Sequence, residues 1–507
     1  MTFTINMKFY FLLGYFLLAY TNKAQNFSIS SGDEFETARV LWYKKSVESD
    51  NSGFYFIRNK NGIAGTYILH KIDRKTGKTI YIKEIKPEYG IYEVFNVNGK
   101  LLIFSYDASA SFFKKGLILL LNQYDSNTGE KIGETLEIDK LVSKKDNQSI
   151  DIDISFSPDR KKMLVTSEIK ENRKMQNVTC KLYEVDGYRK IWEKEPITVY
   201  KKSTVSTSEY MVNNEGDLCY IFAYARSSHK DILDNYDDLN YGIGVASSKN
   251  AYAAQYEIQS KGKTLESVKC DIINNDFLCF GQFSDGEIEI ADNTKRGFYL
   301  VVVDSKQLEL KNQTFQYIDS SIEDKLLSNR EKYGNFLKWS IPKMFFLNGS
   351  YYFVSQHQYK INGYNNYPAS IYKDEILVIK YTKNNLFDWM KIIPKISAYP
   401  EANPVNFAIT DKLNFIYYDK PENLVNFPDP NVFTRKDYEA CNPEKSVLLS
   451  TSIDDQGIIK RNVVDIKGVV VLEDQVIRDF QGNSLKSVAI PIRISKGTKR
   501  FDILNFE

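Results

Sequence analysis

The sequence predicts an all-β protein, a single β-propeller of four-stranded antiparallel blades, and three observations carry that prediction. Pairs of short apolar runs joined by Asn, Asp, Gly or Ser turns recur along the whole chain. They come two hairpins at a time, in units of ~60 residues. The composition agrees, with 35 Tyr and 31 Phe against 13 Pro, a balance that suits strands. A lone four-stranded sheet leaves both faces uncovered, and radial stacking covers each face with the next blade.

The units follow in order, each an inner hairpin and then an outer one. They begin with "SVESDNSGFYFIRN" (46–59) and "YILHKIDRKTGKTIYIKEI" (67–85), then "YEVFNVNGKLLIFSY" (92–106) and "LILLLNQYDSNTGEKIGETLEI" (117–138). "SFSPDRKKMLVTS" (155–167) pairs with 180–199, 209–224 with 253–268, and "CDIINNDFLCFGQF" (270–283) with 298–318. The series ends with 343–356 and 376–394, 406–419 and 447–466, and 469–483 and 487–506. Each run–turn–run pattern is the sequence form of a tight hairpin. Eight blades are expected, or seven if a terminal unit is part of a shared blade. The last unit stops near the chain end, so "NFSIS" (26–30) is expected beside it as a closing strand.

Residues 1–24 read as an export signal. Lys8 precedes an apolar run over residues 9 to 20, and Ala24 in "TNKAQ" offers a cleavage site. That run is short of the ~20 residues a spanning helix needs. No Cys follows it to take a lipid before Cys180, so residues 25–507 are expected to fold as a propeller outside the cytoplasm, periplasmic or secreted, and not as a lipoprotein. The formal net charge of +2, with no basic stripe, argues against nucleic acid.

Five cysteines are too few for a disulfide scaffold. One pair stands out, because a two-residue turn at Asn274-Asn275 sets Cys270 opposite Cys279. Opposed strand residues lie about 4.5 to 5.5 Å apart, within disulfide reach. A one-residue slip removes the pairing and leaves two buried thiols. Cys180, Cys219 and Cys441 read as lone residues.

"FSPDRKKMLVTS" resembles the paired strands of WD40-like and TolB-like propellers, with Arg160 where Gly is usual. In its signal style, in "RGFYLVVVD" and in "DEILVIKYTKNNLFDWMKIIPK", the chain is similar to uncharacterised exported propeller proteins of Bacteroidota. The resemblance implies a fold and an envelope location, and no chemistry.

With strands lettered A to D from the axis outwards, the A–B and C–D turns lie on one face and the B–C loops and D–A crossings on the other. The long segments fall on the second face: 107–116, 225–242, 284–297, 357–375 and 420–445, with the crossing 320–338 containing a candidate short helix. Long loops presented by a rigid scaffold suggest a binding face. They carry aromatic residues suited to anchoring a partner: Phe112 and Phe113, then Tyr236 and Tyr241, then Tyr364, Tyr367 and Tyr372, then Phe427, Phe433 and Tyr438. Packing against the propeller's own rim is the plainer role for any one of them. Trp192 and Trp389, on outer strands, read as plugs between blades.

No catalytic, cofactor or metal residues are assigned. Loop carboxylates (Asp231, Asp234, Asp237, Asp238, Asp285, Glu287, Glu289) read as solvated. The three histidines are scattered, with His70 on a C strand and His229 and His357 at the starts of long loops. The chain holds no P-loop, G-x-S-x-G, H-E-x-x-H or EF-hand spacing. The expectation is a platform that binds an envelope protein or glycan through its B–C loop face. The alternative is a hydrolase or lyase acting on an envelope carbohydrate or peptide at the funnel.

Overall fold

The computed structural model describes residues 27–506 apart from 37–44, 48–51, 61–64, 108–115, 143–147, 172–177, 197–203, 226–238, 250–252, 261, 275, 286–294, 323–337, 341–342, 362–369, 397–404, 433–438, 441–445, 466–468, 471–485 and 496–497. The proposed signal segment lies outside the described residues. Among them, no helix is long and apolar enough to cross a membrane.

Eight antiparallel sheets follow one another along the chain, and together they form an eight-bladed propeller. Blade 1 comprises Lys45–Val47, Gly53–Asn59, Tyr67–Asp73 and Thr79–Ile85, and blade 2 Ile91–Val97, Lys100–Asp107, Gly116–Asp125 and Lys131–Val142. Blade 3 is Gln148–Phe156, Lys162–Glu171, Val178–Glu184 and Lys190–Lys194; blade 4 is Thr204–Val212, Leu218–Ala225, Leu239–Ala246 and Ala253–Glu257. Blade 5 is Lys263–Ile273, Asp276–Asp285, Arg296–Asp304 and Leu310–Tyr317. In blade 6 the pieces Lys338–Trp339 and Lys343–Leu347 form strand A beside Ser350–Ile361, Ser370–Tyr381 and Phe387–Ile393. Blade 7 is Asn406–Ile409, Leu413–Asp419, Val447–Ile453 and Ile459–Val464.

The eighth blade closes the ring. Val469–Val470, Ser487–Ser495 and Thr498–Phe506 supply strands A to C, and Phe27–Ser31 supplies strand D, with Phe27 opposite Phe506 and Ser31 opposite Asp502. The closing strand is where the sequence places it, but the hairpin 487–506 is the middle pair of its blade and not the outer one. The first strand of the chain takes the outer place.

A second correction falls in blade 4. Its outer hairpin is 239–257, not 253–268, and residues 263–268 open strand A of blade 5. Strand C there is "LNYGIGVA", and its glycines hide the strand signal. A Cβ on Gly242 would lie 2.2 Å from the Phe222 ring, and one on Gly244 2.2 Å from the Tyr220 ring. Two aromatic side chains of the neighbouring strand lie over the bare backbone, so the position requires glycine.

The core is a series of seams between blades. Leu102, Phe104, Leu119 and Leu121 of blade 2 interlock with Ile154, Phe156, Met163 and Val165 of blade 3. Phe345, Tyr352 and Ile376 of blade 6 do the same with Phe407, Phe415 and Leu449 of blade 7. Strand alternation supplies an apolar residue to both faces of each sheet, so every blade is covered twice.

On the turn face, among the described residues, six of the seams are also locked by hydrogen bonds from one blade to a turn carbonyl of the next. The Ser126 carbonyl of blade 2 accepts from Tyr55, Tyr81 and Lys71 of blade 1, at 3.2, 3.1 and 3.0 Å. Trp192 of blade 3 donates to Gly216 (3.2 Å), and Tyr256 of blade 4 to Leu308 (2.7 Å). Thr314 of blade 5 donates to Asn385 (3.1 Å), and Trp389 and Lys380 of blade 6 to Asp455 (3.0 and 2.8 Å). Asn505 of blade 8 donates to Lys75 of blade 1 (3.0 Å), across the seam where the ring closes. The two tryptophans are therefore inter-blade plugs.

The turns that offer these carbonyls are themselves pinned. Asp73 accepts from the Lys75 and Thr76 amides (3.0 and 2.7 Å), Asp125 from those of Asn127 and Thr128 (both 2.8 Å), and Asp304 from those of Lys306 and Gln307 (2.7 and 2.9 Å). Such a carboxylate, bonded to amides two and three residues on, fixes the turn without help from solvent. Burial pushes the Asp73 carboxyl up, but the Thr76 and Lys75 bonds together outweigh it, and the Thr128 and Asn127 bonds do the same at Asp125, so both carboxyls lie below their usual range. In the hairpin that resembles WD40-like repeats, Arg160 takes φ 58°, the left-handed conformation for which Gly is usual there.

Candidate functional site

Chain topology places every B–C connector on the face opposite these locked turns. In blades 2, 4, 5, 6 and 7 the connectors are residues 108–115, 226–238, 286–295, 362–369 and 420–446. Four are shorter than expected, because the flanking strands run further than their apolar cores; the clearest case is blade 6, where strands B and C continue through polar residues to Ile361 and back from Ser370.

Phe112, Phe113, Tyr236, Tyr364, Tyr367, Phe433 and Tyr438 lie outside the described residues. Tyr241 is within strand C of blade 4, half-buried against the seam with blade 5. Tyr372 is within strand C of blade 6, paired with Tyr359. Phe427 follows the short helix Pro421–Asn426 and packs on the apolar seam that runs through blades 5 and 6, while Arg461 donates to its carbonyl. Buried Asn423 anchors the same loop. It donates to Asp419 at the end of strand B (2.7 Å) and to the Glu439 carbonyl (2.8 Å), and accepts from the Glu439 amide (2.8 Å). Residues 320–322 open a helical turn in the crossing to blade 6.

Cys270 and Cys279 are joined in a disulfide across the inner hairpin of blade 5, Cα to Cα 4.4 Å. Cys180 and Cys219 are buried thiols, and burial raises both. Cys441 and His229 lie outside the described residues. His70 is on strand C of blade 1, as expected; it is buried, 3.0 Å from the Thr79 hydroxyl and edge-on to Phe35. His357 is not at a loop start but inside strand B of blade 6. It is buried there, with its Nδ1 2.9 Å from the Glu375 carboxylate and its ring 5.5 Å from Trp339. Of the loop carboxylates, Asp285 is described, accepting from Tyr317 (2.8 Å) and Lys263 (3.3 Å). No group of three or more His, Cys, Asp or Glu suited to a metal occurs among the described residues.

One set of polar groups, on the innermost strands that line the central channel, is not evident from the sequence. Glu93, Asp151 and Asp153, Glu209, and Asp271 with Lys269 stand on strand A of blades 2, 3, 4 and 5. Enclosure by the surrounding blades raises the carboxyl of Asp153, although its side chain still meets solvent in the channel; burial raises that of Glu209 and carries that of Asp271 to about 6 despite the nearby Ile272 amide and Lys269. Glu209 sits in a bulge at φ 52° and accepts from the Cys270 amide of the next blade. Alternation in "SIDIDISF" is the available signal; it reads equally as a solvated strand face.

Fold and site together define an eight-bladed propeller closed by its first strand, with one locked face and one elaborated face. No protein-family model matches the chain, and no curated protein matches it. Solved structures similar to it include the β-propeller domain of the trilobed protease from Pyrococcus furiosus, at 10% identity over 83% of this chain and 97% of that one, TM-score 0.37. Others are a quinohemoprotein alcohol dehydrogenase from Pseudomonas putida HK5 (10%, 95% and 76%, 0.44) and a europium-containing methanol dehydrogenase (9%, 92% and 85%, 0.39). Similarity at that level transfers no activity to this chain.

Proposed function

We propose that the protein is an exported binding platform that holds an envelope protein or glycan on its B–C loop face. The observation that carries this reading is the asymmetry of the ring. In blades 1 to 7 every A–B and C–D connection has six residues or fewer, whereas the B–C connections reach 27 residues in blade 7. Ring closure needs only the short kind, so the long ones serve something other than the fold. The proposed contacts are the aromatics of the connectors, Phe112, Phe113, Tyr236, Tyr364, Tyr367, Phe433 and Tyr438, whereas Tyr241 and Tyr372 lie in strands and Phe427 packs on the ring itself.

The test replaces residues 226–238 and 286–294 with Gly-Ser linkers of equal length and compares capture from the native envelope with the unaltered chain. A component retained by the unaltered chain and lost from the folded variant supports the reading. Equal capture by both overturns it for these loops.

A second reading, a hydrolase or lyase acting on an envelope carbohydrate or peptide in the channel, is favoured by the raised carboxyl of Asp271 beside Glu209, since a carboxyl near 6 serves as a general acid. If that reading is right, Asp271→Asn abolishes turnover of any substrate found in a glycoside and peptide screen.

A further inference from the structure

At the loop-face mouth of the channel, blades 2 and 3 bring two tyrosines and three carboxylates into one corner. Tyr92 occupies a bulge near the start of strand A in blade 2, between Ile91 and Glu93. Its ring lies 5.7 Å from that of Tyr106 on strand B, at 67°. Its hydroxyl donates to the carbonyl of Ile152, the residue between Asp151 and Asp153 on strand A of blade 3. Tyr106 is 40% exposed, Asp151 and Asp153 are exposed to the channel, and Glu93 is half-buried.

This corner combines two chemistries. An exposed ring, braced edge-on by a second one, offers a flat π-face of negative potential to C–H groups. Ionised carboxylates beside it accept hydrogen bonds and donate none. A sugar ring presents both complements, an axial C–H face and a rim of hydroxyl donors. Three carboxylates disfavour an anionic ligand at the same place, through charge repulsion in a partly desolvated mouth. The Tyr92 phenol registers that environment: burial first, then Asp153, Glu93 and Asp151, push it up to about 12.

We propose that Tyr106 and Tyr92, with Glu93, Asp151 and Asp153, form a subsite for a neutral or amino-bearing oligosaccharide. The subsite rests on the platform reading for its face and narrows the ligand from protein or glycan to a glycan without acidic groups. It needs none of the long loops.

Titration calorimetry of the full chain with cellohexaose, a glucosamine hexamer, a galacturonate hexamer and hexalysine tests it. The expected result is binding of cellohexaose or the glucosamine hexamer and none of the galacturonate hexamer. Tyr106→Ala should weaken it at least tenfold, Asp153→Asn at least fivefold, and Tyr106→Phe less than twofold. Because Tyr106 and Asp153 are exposed, these variants should keep the urea midpoint of the unaltered chain. Absence of binding by both the neutral and the amino hexamer, affinity unmoved by Tyr106→Ala, or binding of hexalysine without either sugar would overturn the proposal. The loop-replacement capture is scored separately, so failure here leaves the platform reading standing or falling on its own result.

Discussion

Turn face and loop face of this ring join the same strands by different means. On the turn face, blade after blade offers a carbonyl such as that of Ser126 or Asp455 to side chains of its neighbour, and Asp73, Asp125 and Asp304 hold the turns that present them. On the loop face some described anchors lie within one blade, as where Asn423 ties the 420–446 connector to Asp419 at its own base, and others join neighbours at strand ends, as where Gln282 of blade 5 donates to the Trp339 and Ser340 carbonyls of blade 6. The turn face is therefore fixed by short, pinned turns, whereas on the loop face the strand ends are held and the long connectors beyond them are left able to vary. Substitutions at the seams and the turn face should cost stability and spare binding, and those on the loop face the reverse.

The seam between blades 8 and 1 gives the sharpest way to break that division. Phe501 is fully buried there, stacked on Phe56 at 4.1 Å and on Phe35 at 5.6 Å. Truncating such a ring costs about 3 to 5 kcal/mol, from lost transfer energy and the cavity left behind. Phe501→Ala should accordingly lower the urea midpoint at neutral pH further than His70→Gln, Trp389→Phe or the exchange of two loops. A drop of under about 1 kcal/mol would mean that this seam does not hold the ring closed.

Acid should act on the same seam. Burial, reinforced by Arg58 and opposed by Asp33, lowers the His70 imidazole to about 4. The unfolded chain binds a proton below pH ~6.5, whereas the folded chain resists until pH ~4. His70 stability is thus complete above the unfolded value and is lost as pH falls through that window, by about 3 kcal/mol at pH 4. His70→Gln should flatten this acid limb, read as urea midpoints at pH 7.5 and pH 4. Parallel limbs for the two chains would refute the assignment.

A smaller effect separates the lock from the plug. In Trp389 the ring fills the rim between blades 6 and 7, and its Nε1 donates to Asp455. Trp389→Phe keeps most of the ring and removes the donor, so it should cost about 1 kcal/mol, the net worth of one hydrogen bond. The additional loss in Trp389→Ala then measures packing alone.

How much of this is legible in the sequence follows from the range of each interaction. Hairpins are local, so their turns and apolar alternation announce the blades, and with them the face on which each loop lies. The closing strand is legible because a ring must have one. Blade 4 misleads where Gly242 and Gly244 replace the residues a strand usually shows, their faces covered by Phe222 and Tyr220 from the preceding strand. His357 reads as a loop residue because the strand ends in blade 6 are polar; their partners, Glu375 among them, are buried only once the sheet has formed. The Ser126 carbonyl and the Tyr92–Asp153 corner depend on which blade follows which in space. No spacing within one unit reveals them.

The smallest stability effect belongs to the loops, and it carries the comparison furthest. Residues 286–294 leave strand B at Asp285 and re-enter at Lys295, whose carbonyl accepts from the Asp285 amide at 2.8 Å. That bond closes the connector at its base, so strand register does not depend on what lies beyond it. Exchanging 226–238 and 286–294 for Gly-Ser linkers of equal length leaves closure length unchanged, and even a doubling would cost only about 0.6 kcal/mol. The variant's urea midpoint should therefore match that of the unaltered chain to within about 0.5 kcal/mol. A larger loss would show that these loops brace the ring, and would remove the reason for assigning them to a partner.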